Sequence, residues 1–300
     1  MTAPMAASDA AVLAETWVPS RGLRLPRIGW TGVVLVGGFA LVALLAPLVA
    51  PYRAGELAGR PLEAPGSNNL LGTNAVGQDL LSHMLLGVRA SLFVAAVAGA
   101  GTLAIGALVG LAAGWWGGVI DAVLMRVVDV LMVIPRLPLL IVAGAYVGRG
   151  LLPVAAIIAL TFWPSTARVV RSQVMSVRRR DDVMAAVGFG AGTVHVLRRH
   201  LLPAVTLLLA AELVSAAGRA VVLETGLAFL GLGDPSAPSW GSIMREALGF
   251  PGLFYTRAWA WWLVPPLLAV TLLLVGITFL GVAVEQRVNP RLVRHAGQAR

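Results

Sequence analysis

Six stretches of this chain are long and apolar enough to cross a lipid bilayer, and they constrain its fold more than any other feature. A crossing helix needs ~20 mostly apolar residues. It must also satisfy its backbone N–H and C=O groups internally, because hydrocarbon supplies no partners. The stretches run from about Trp30 to Ala50, Ser91 to Gly114, Val123 to Val147, Leu151 to Ala167, Leu202 to Leu223 and Trp259 to Val284. The third is the least regular, with Arg126, Asp129 and Pro135 inside it. Composition closes off the soluble alternative: 12% of the 300 residues are charged and 58% hydrophobic, whereas soluble domains carry roughly 25% charged residues. The expected fold is all-α, an integral membrane protein with six transmembrane helices.

All 23 basic residues are Arg. A P-loop of the form G-x-x-x-x-G-K-[ST] requires a Lys on the nucleotide phosphates, so an ATPase serving this chain would be a separate polypeptide. The formal charge of +9 does not indicate nucleic acid, because the Arg residues fall between apolar runs rather than along one face. Their placement sets an orientation. With the N-terminus inside, fourteen are cytosolic: Arg21, Arg24, Arg27, Arg168, Arg171, Arg178, Arg179, Arg180, Arg198, Arg199, Arg287, Arg291, Arg294 and Arg300. Six lie opposite (Arg53, Arg60, Arg89, Arg149, Arg245, Arg257), and Arg126, Arg136 and Arg219 stay at membrane depth. Both termini are therefore expected in the cytosol, in a multi-pass protein of the cytoplasmic (inner) membrane surrounded by lipid. Trp30, Trp115 and Trp116, and Trp259, Trp261 and Trp262, suit interfacial belts. The start of the chain has no apolar h-region and reads as a mobile cytosolic tail, not a signal peptide.

Chemistry-bearing groups are sparse. Cysteine is absent, which excludes disulfides and thiolate chemistry. His83, His195, His200 and His295 have no metal-ligand spacing, and no catalytic constellation can be assembled. The expectation is a transport subunit without metal or cofactor, not an enzyme.

The most informative stretch is RRRDDVMAAVGFGAGTVHVLRRHLLP, residues 178–203. Asp181 or Asp182 can cap a helix start. A short helix of small residues follows, Val183-Met184-Ala185-Ala186-Val187, and Gly188, Gly190 and Gly192 break it. A second helix, with Val194, Leu197 and Leu201 on one side and Arg198 and Arg199 on the other, leads back to the membrane at Pro203. A small-faced helix held between two membrane helices suits docking into another protein's groove.

This loop resembles the E-A-A loop of the permease family of ABC importers, with Ala185, Ala186, Gly190, Leu202 and Pro203 in register; Met184 stands where the family often has Glu, and Val187 where its peptide branch often has Arg. Further stretches narrow the branch. Residues 71–82, LGTNAVGQDLLS, resemble the LGTDxxGRDxLS segment of dipeptide, oligopeptide and nickel permeases, with Asn74 and Gln78 replacing Asp and Arg. Residues 87–92 (GVRASL) resemble GARxSL, residues 224–233 (ETGLAFLGLG) resemble ESALSFLGLG, residues 238–241 (PSWG) resemble PxWG, and 289–292 (NPRL) resemble DPRL, although Val282 and Glu285 depart from the preceding GDGLRD. The resemblance covers about residues 30–292 and implies the second, C-type permease subunit, with the type I ABC importer permease fold. It implies further that Asp182, Val183, Met184, Ala185, Ala186, Gly190 and Pro203 belong to a loop that couples to the ATPase. The implied partners are a second homologous permease, two ABC ATPase subunits and an extracytoplasmic solute-binding protein. The organisation expected is a cytosolic tail (1–28), a first helix plus extracytoplasmic segment (29–86), a five-helix core (87–287) with its cytosolic loop (168–203), and a C-terminal tail (288–300).

Candidate sites stand beside plainer readings. Charges at membrane depth are expensive and default to function. Glu212 and Arg219, seven apart on one helical face, are candidates for the pathway or for structural neutralisation. Glu224 is a candidate for the pathway or gate, or for a helix-end hydrogen bond. Asp129 and Arg126 read as a local ion pair. Trp240 and Gly241 are candidates for docking the binding protein or for anchoring at the interface. Gly106, Gly110 and Gly114 mark a helix-packing face. The solute expected is a di- or oligopeptide, with nickel chelates or another small solute as alternatives. An ion-coupled secondary transporter is the rival from another class; it would need more pathway charge and an internal repeat.

Overall fold

The computed structural model describes residues 27–288. The expected tails, apart from residues 27, 28 and 288, and the NPRL match at 289–292 lie outside the described residues. Within them the elements are α1 (Arg27–Val49), α2 (Leu80–Trp116), α3 (Gly118–Val133), α4 (Arg136–Val147), α5 (Leu151–Arg178), α6 (Asp181–Gly188), α7 (Thr193–Val196), α8 (Leu202–Phe229), α9 (Trp240–Gly249), α10 (Ala258–Trp262) and α11 (Val264–Val288). Among the described residues there is no β-strand, only the isolated bridges Leu57–Gln78 and Thr73–Asp79. Five helical runs are each long and apolar enough to cross a membrane: α1, α2, α5, α7 through α8, and α10 through α11.

The sixth candidate span differs from the single helix expected over Val123–Val147. It is two helices, α3 and α4, bent by 85° at their junction. The cause is local: Pro135 lacks an N–H and pushes the residue before it out of the helical region, and Ile134 sits at φ −67°, ψ 127°. Two other helices outrun their expected limits. α2 has 37 residues rather than Ser91–Gly114, and α5 continues from Ala167 to Arg178. Polar residues such as Ser82, His83, Arg168 and Gln173 end the apolar runs without ending the helices, so hydropathy underestimates both.

Small residues set the packing. α2 and α5 run parallel, and Gly106, Gly110 and Gly114 face Thr166, Ala167 with Val170, and Val174 in turn. A Cβ on Gly110 would lie 2.6 Å from the Ala167 carbonyl oxygen, so only glycine permits this approach. α8 crosses α2 antiparallel, with Gly99 against Ala217. α11 packs on α1 through Gly32, against Leu280, and Gly276, against Leu35.

The connection from α1 to α2 lies at one end of the bundle, and the LGTNAVGQDLLS stretch organises it. Asn74 Oδ1 accepts from the Val76 and Gln78 amides at 3.1 and 2.9 Å, and Asn74 Nδ2 donates to Gln78 Oε1 at 2.8 Å. A neutral amide pair thus occupies the positions where the resembled motif has Asp and Arg. Asp79 caps α2, accepting from the Ser82 amide at 2.8 Å and the Ser82 hydroxyl at 2.7 Å. Thr73 Oγ1 donates to the Arg60 carbonyl at 2.6 Å and accepts from the Glu63 amide at 2.8 Å, tying down the preceding loop.

Candidate translocation groove and coupling loop

α5, α8 and α11 enclose a groove of about 820 Å³. Its wall is apolar, with Phe162, Val169, Leu208, Val222, Leu274 and Ile277, apart from a few polar groups. Glu212 and Arg219, two helical turns apart on α8, both line it. The Glu212 carboxylate accepts from Thr166 Oγ1 on α5 at 3.0 Å. Arg219 Nη2 stands 4.0 Å from Glu212 Oε2, an ionic contact too long for a hydrogen bond. The Arg219 Nε and Nη2 atoms are buried and have no hydrogen-bond partner among the described residues. Arg136, the first residue of α4, places its guanidinium 4.9 Å over the Phe162 ring, within electrostatic reach of Arg219. Sequence reasoning left Arg136 at membrane depth without a site. The bend at Pro135 is what brings it here.

Glu224 does not line this groove. It is buried between α8 and α2, where Ser91 Oγ donates to its Oε2 at 2.9 Å. Of the two readings open for it, the hydrogen-bonded one describes its position, with the partner on a neighbouring helix rather than at its own helix end. Trp240 and Gly241 are also displaced from the surface role expected of them. Trp240 is 1% exposed; its ring meets Phe39 edge-on at 5.6 Å, and its Nε1 donates to the Met84 carbonyl at 3.3 Å. Gly241 packs against the Thr225 backbone and Ala228. These residues fasten α9 to α1, α2 and α8, and the Trp240 ring is buried rather than presented at the surface. Ser239 and Ser242 bond reciprocally at the start of α9, a capping box that fixes where the helix begins, immediately before Trp240.

At the opposite end, α6 projects between α5 and α7. Val183 is its buried anchor, packed with Val170, Val174, Val177, Val196, Leu201 and Val205. Met184, Ala185, Val187 and Phe189 are exposed, Phe189 at 92%. Neither Asp181 nor Asp182 caps the helix; Arg180 occupies the N-cap position, and both carboxylates lie in the first turn, where the helix dipole favours them. Desolvation is the largest single influence on Asp182 and opposes its ionisation, but Arg180 (Nε to Oδ1 3.1 Å) and His200 (Nδ1 to Oδ2 3.4 Å) together outweigh it and hold the carboxyl below the usual range. Gly190 closes the helix. The Ala191 amide donates to the Ala186 carbonyl and the Gly190 amide to the Val187 carbonyl, each at 3.0 Å, with Gly190 at φ +82°. That pairing is a Schellman stop, which needs a left-handed residue.

The helix after this stop also departs from expectation. Residues Leu197–Leu201 form a π-helical turn in which the Leu202 amide donates to the Leu197 carbonyl. The wider turn accommodates Pro203, which has no N–H to donate. It also changes the phase of the buried face, so that Val196 and Leu201 are buried while Val194 is exposed.

Two ion pairs bind the broken crossing to α5, the helix that leads into α6. Arg171 grips Asp121 with Nε at 2.5 Å and Nη2 at 2.6 Å, and Arg168 Nη2 meets Asp129 at 2.6 Å. Asp129 therefore pairs across helices rather than with Arg126. The i, i+3 spacing permitted the local pair, but the antiparallel run of α3 beside α5 presents the longer-range partner.

Residues 106–294 match the family model described as the binding-protein-dependent transport system inner membrane component. A Brucella suis biovar 1 protein named a peptide permease protein is 34% identical over 262 residues, covering 87% of this chain and 86% of that one. The dipeptide transport system permease protein of Haemophilus influenzae is 29% identical over 297 residues, covering 96% and 98%. The matched span takes in the broken crossing, the groove helices and the projecting loop. This chain therefore belongs to the family of inner membrane components of binding-protein-dependent transport systems, and is a multi-pass permease subunit of the cytoplasmic membrane.

Proposed function

We propose that this chain is one of two homologous permease subunits of an ATP-driven importer of di- or oligopeptides. Two ABC ATPase subunits would drive it, and an extracytoplasmic binding protein would deliver solute. The observation that carries the reading is agreement along nearly the whole chain with relatives named for peptide and dipeptide transport. The architecture suits the role. Solute would pass along the groove between α5, α8 and α11. The exposed face of α6 would seat in the ATPase, with Ala185 and Ala186 small enough to allow close approach and Asp182 holding the loop's base through Arg180 and His200.

ATP binding would then move α6. Because α6 is anchored by Val183 to α5, and α5 is tied to α3, the motion would travel as displacement of packed helices between inward- and outward-facing states. The chain itself performs no bond chemistry in this scheme. Both termini and α6 lie in the cytosol. The test is reconstitution of the full assembly in proteoliposomes with ATP inside the ATPase compartment. Ala185→Glu should lower peptide uptake at least about tenfold, since a charge buried at the interface without a partner costs well over 1.4 kcal/mol, while ATP hydrolysis persists. Unchanged coupled uptake in that variant would remove α6 from the coupling role.

A further inference from the structure

Within the groove the charges are unequally matched. Glu212 is already engaged by Thr166 and touches Arg219 only at 4.0 Å. Arg219 keeps two buried nitrogens without a hydrogen-bond acceptor among the described residues. Arg136, on a different helix, adds a second guanidinium nearby and has no ion pair among the described residues. The other acidic group lining the groove is Glu285. Gly218 faces Ile277 and Gly281 faces Val214, so α8 and α11 run antiparallel here. This register puts Glu285 about 13 Å along the axis from the level of Arg219 at ~1.5 Å per residue. Arg219 therefore has Glu212 as its one nearby carboxylate in the groove and Arg136 as a second cation within electrostatic reach behind Phe162, in apolar surroundings that strengthen every electrostatic interaction. A guanidinium whose donors lack acceptors is a preformed half of a bidentate carboxylate contact.

We propose that Arg219, assisted by Arg136, forms a subsite that receives the free carboxylate of the solute as it crosses the groove. This rests on the peptide-importer reading and adds to it a chemical requirement, a carboxylate at one end of the passing molecule. Glu212 limits how tightly the subsite holds its ligand, because it competes for the same guanidinium and so favours release.

The test compares ATP-driven uptake of a dipeptide with uptake of its C-terminal amide, in proteoliposomes holding the complete assembly with its binding protein saturated. The binding protein is the same in every sample, so a change in the acid-to-amide ratio between variants reports on the permease. Arg219→Gln should lower that ratio about tenfold, the loss of a charge-assisted hydrogen-bonded contact; Arg219→Lys should recover part of it. Glu212→Gln should move the ratio the other way, a result that a merely structural defect does not produce. Equal loss of acid and amide uptake in Arg219→Gln, or an unaltered ratio in both variants, would overturn the subsite and leave the importer standing. Absence of ATP-driven uptake of either compound by the wild-type assembly would overturn the importer reading, and the subsite with it.

Discussion

At the scale of single residues, the polar groups inside the bundle divide into those that bind the chain to itself and those left with capacity to spare. Glu224 belongs to the first kind: buried, with Ser91 of α2 donating to it across 133 residues of sequence. Glu224→Ala should leave the Ser91 hydroxyl without its acceptor and lower stability by about 1–3 kcal/mol. Glu224→Gln, which keeps an acceptor oxygen, should cost less. Thermal unfolding of the detergent-solubilised chain would measure both, and an unchanged midpoint in the Ala variant would remove this bond from the account. Arg219 belongs to the second kind. Asp182 sits outside the membrane with its carboxyl held low, so its support of the loop is fully present above the unfolded value of 3.8 and is lost as pH falls through the lower folded value.

At the scale of elements, glycine context decides what a methyl group does. Ala is favoured over Gly in a helix by about 1 kcal/mol. Gly38 on α1 has no atom within 4 Å of its would-be Cβ, so Gly38→Ala should be neutral or slightly stabilising in the isolated chain. Gly110→Ala should instead destabilise by about 1–3 kcal/mol, because the new methyl meets α5 backbone that cannot rotate away. The same unfolding measurement separates them; equal effects at the two positions would mean that the α2–α5 contact is looser than described. The broken crossing obeys a similar local rule. Its bend comes from one proline, and its two ion pairs attach it to the helix from which α6 hangs.

For the whole molecule, the outstanding expectation is sidedness. The chain has no cysteine, so a single introduced thiol reports unambiguously. Ser67→Cys, in the exposed connection between α1 and α2, should react with a membrane-impermeant maleimide on intact cells. Thr193→Cys, at the exposed start of α7, should react only after the membrane is opened. The reverse pattern would invert the topology and take α6 away from the ATPase.

How much of this was legible beforehand depended on the range of the interaction. Hydropathy located the five helical runs long and apolar enough to cross and the bent pair α3–α4, because a bilayer tests each segment for apolar length independently of its neighbours. Charge content marked Glu212, Arg219 and Glu224 as unusual for the same reason, and the glycine spacing marked a packing face. Residue pattern carried the loop around Ala185, whose helix, glycine stop and return are local events. What the tertiary structure alone decided was pairing: Asp129 with Arg168 rather than Arg126, Trp240 in the core rather than on the surface, Glu224 with Ser91, and Arg136 beside Arg219. Each of these depends on which helices lie side by side and in which direction they run. That is set by close approach of small residues and by one proline bend, summed over the whole bundle, and no single segment contains it.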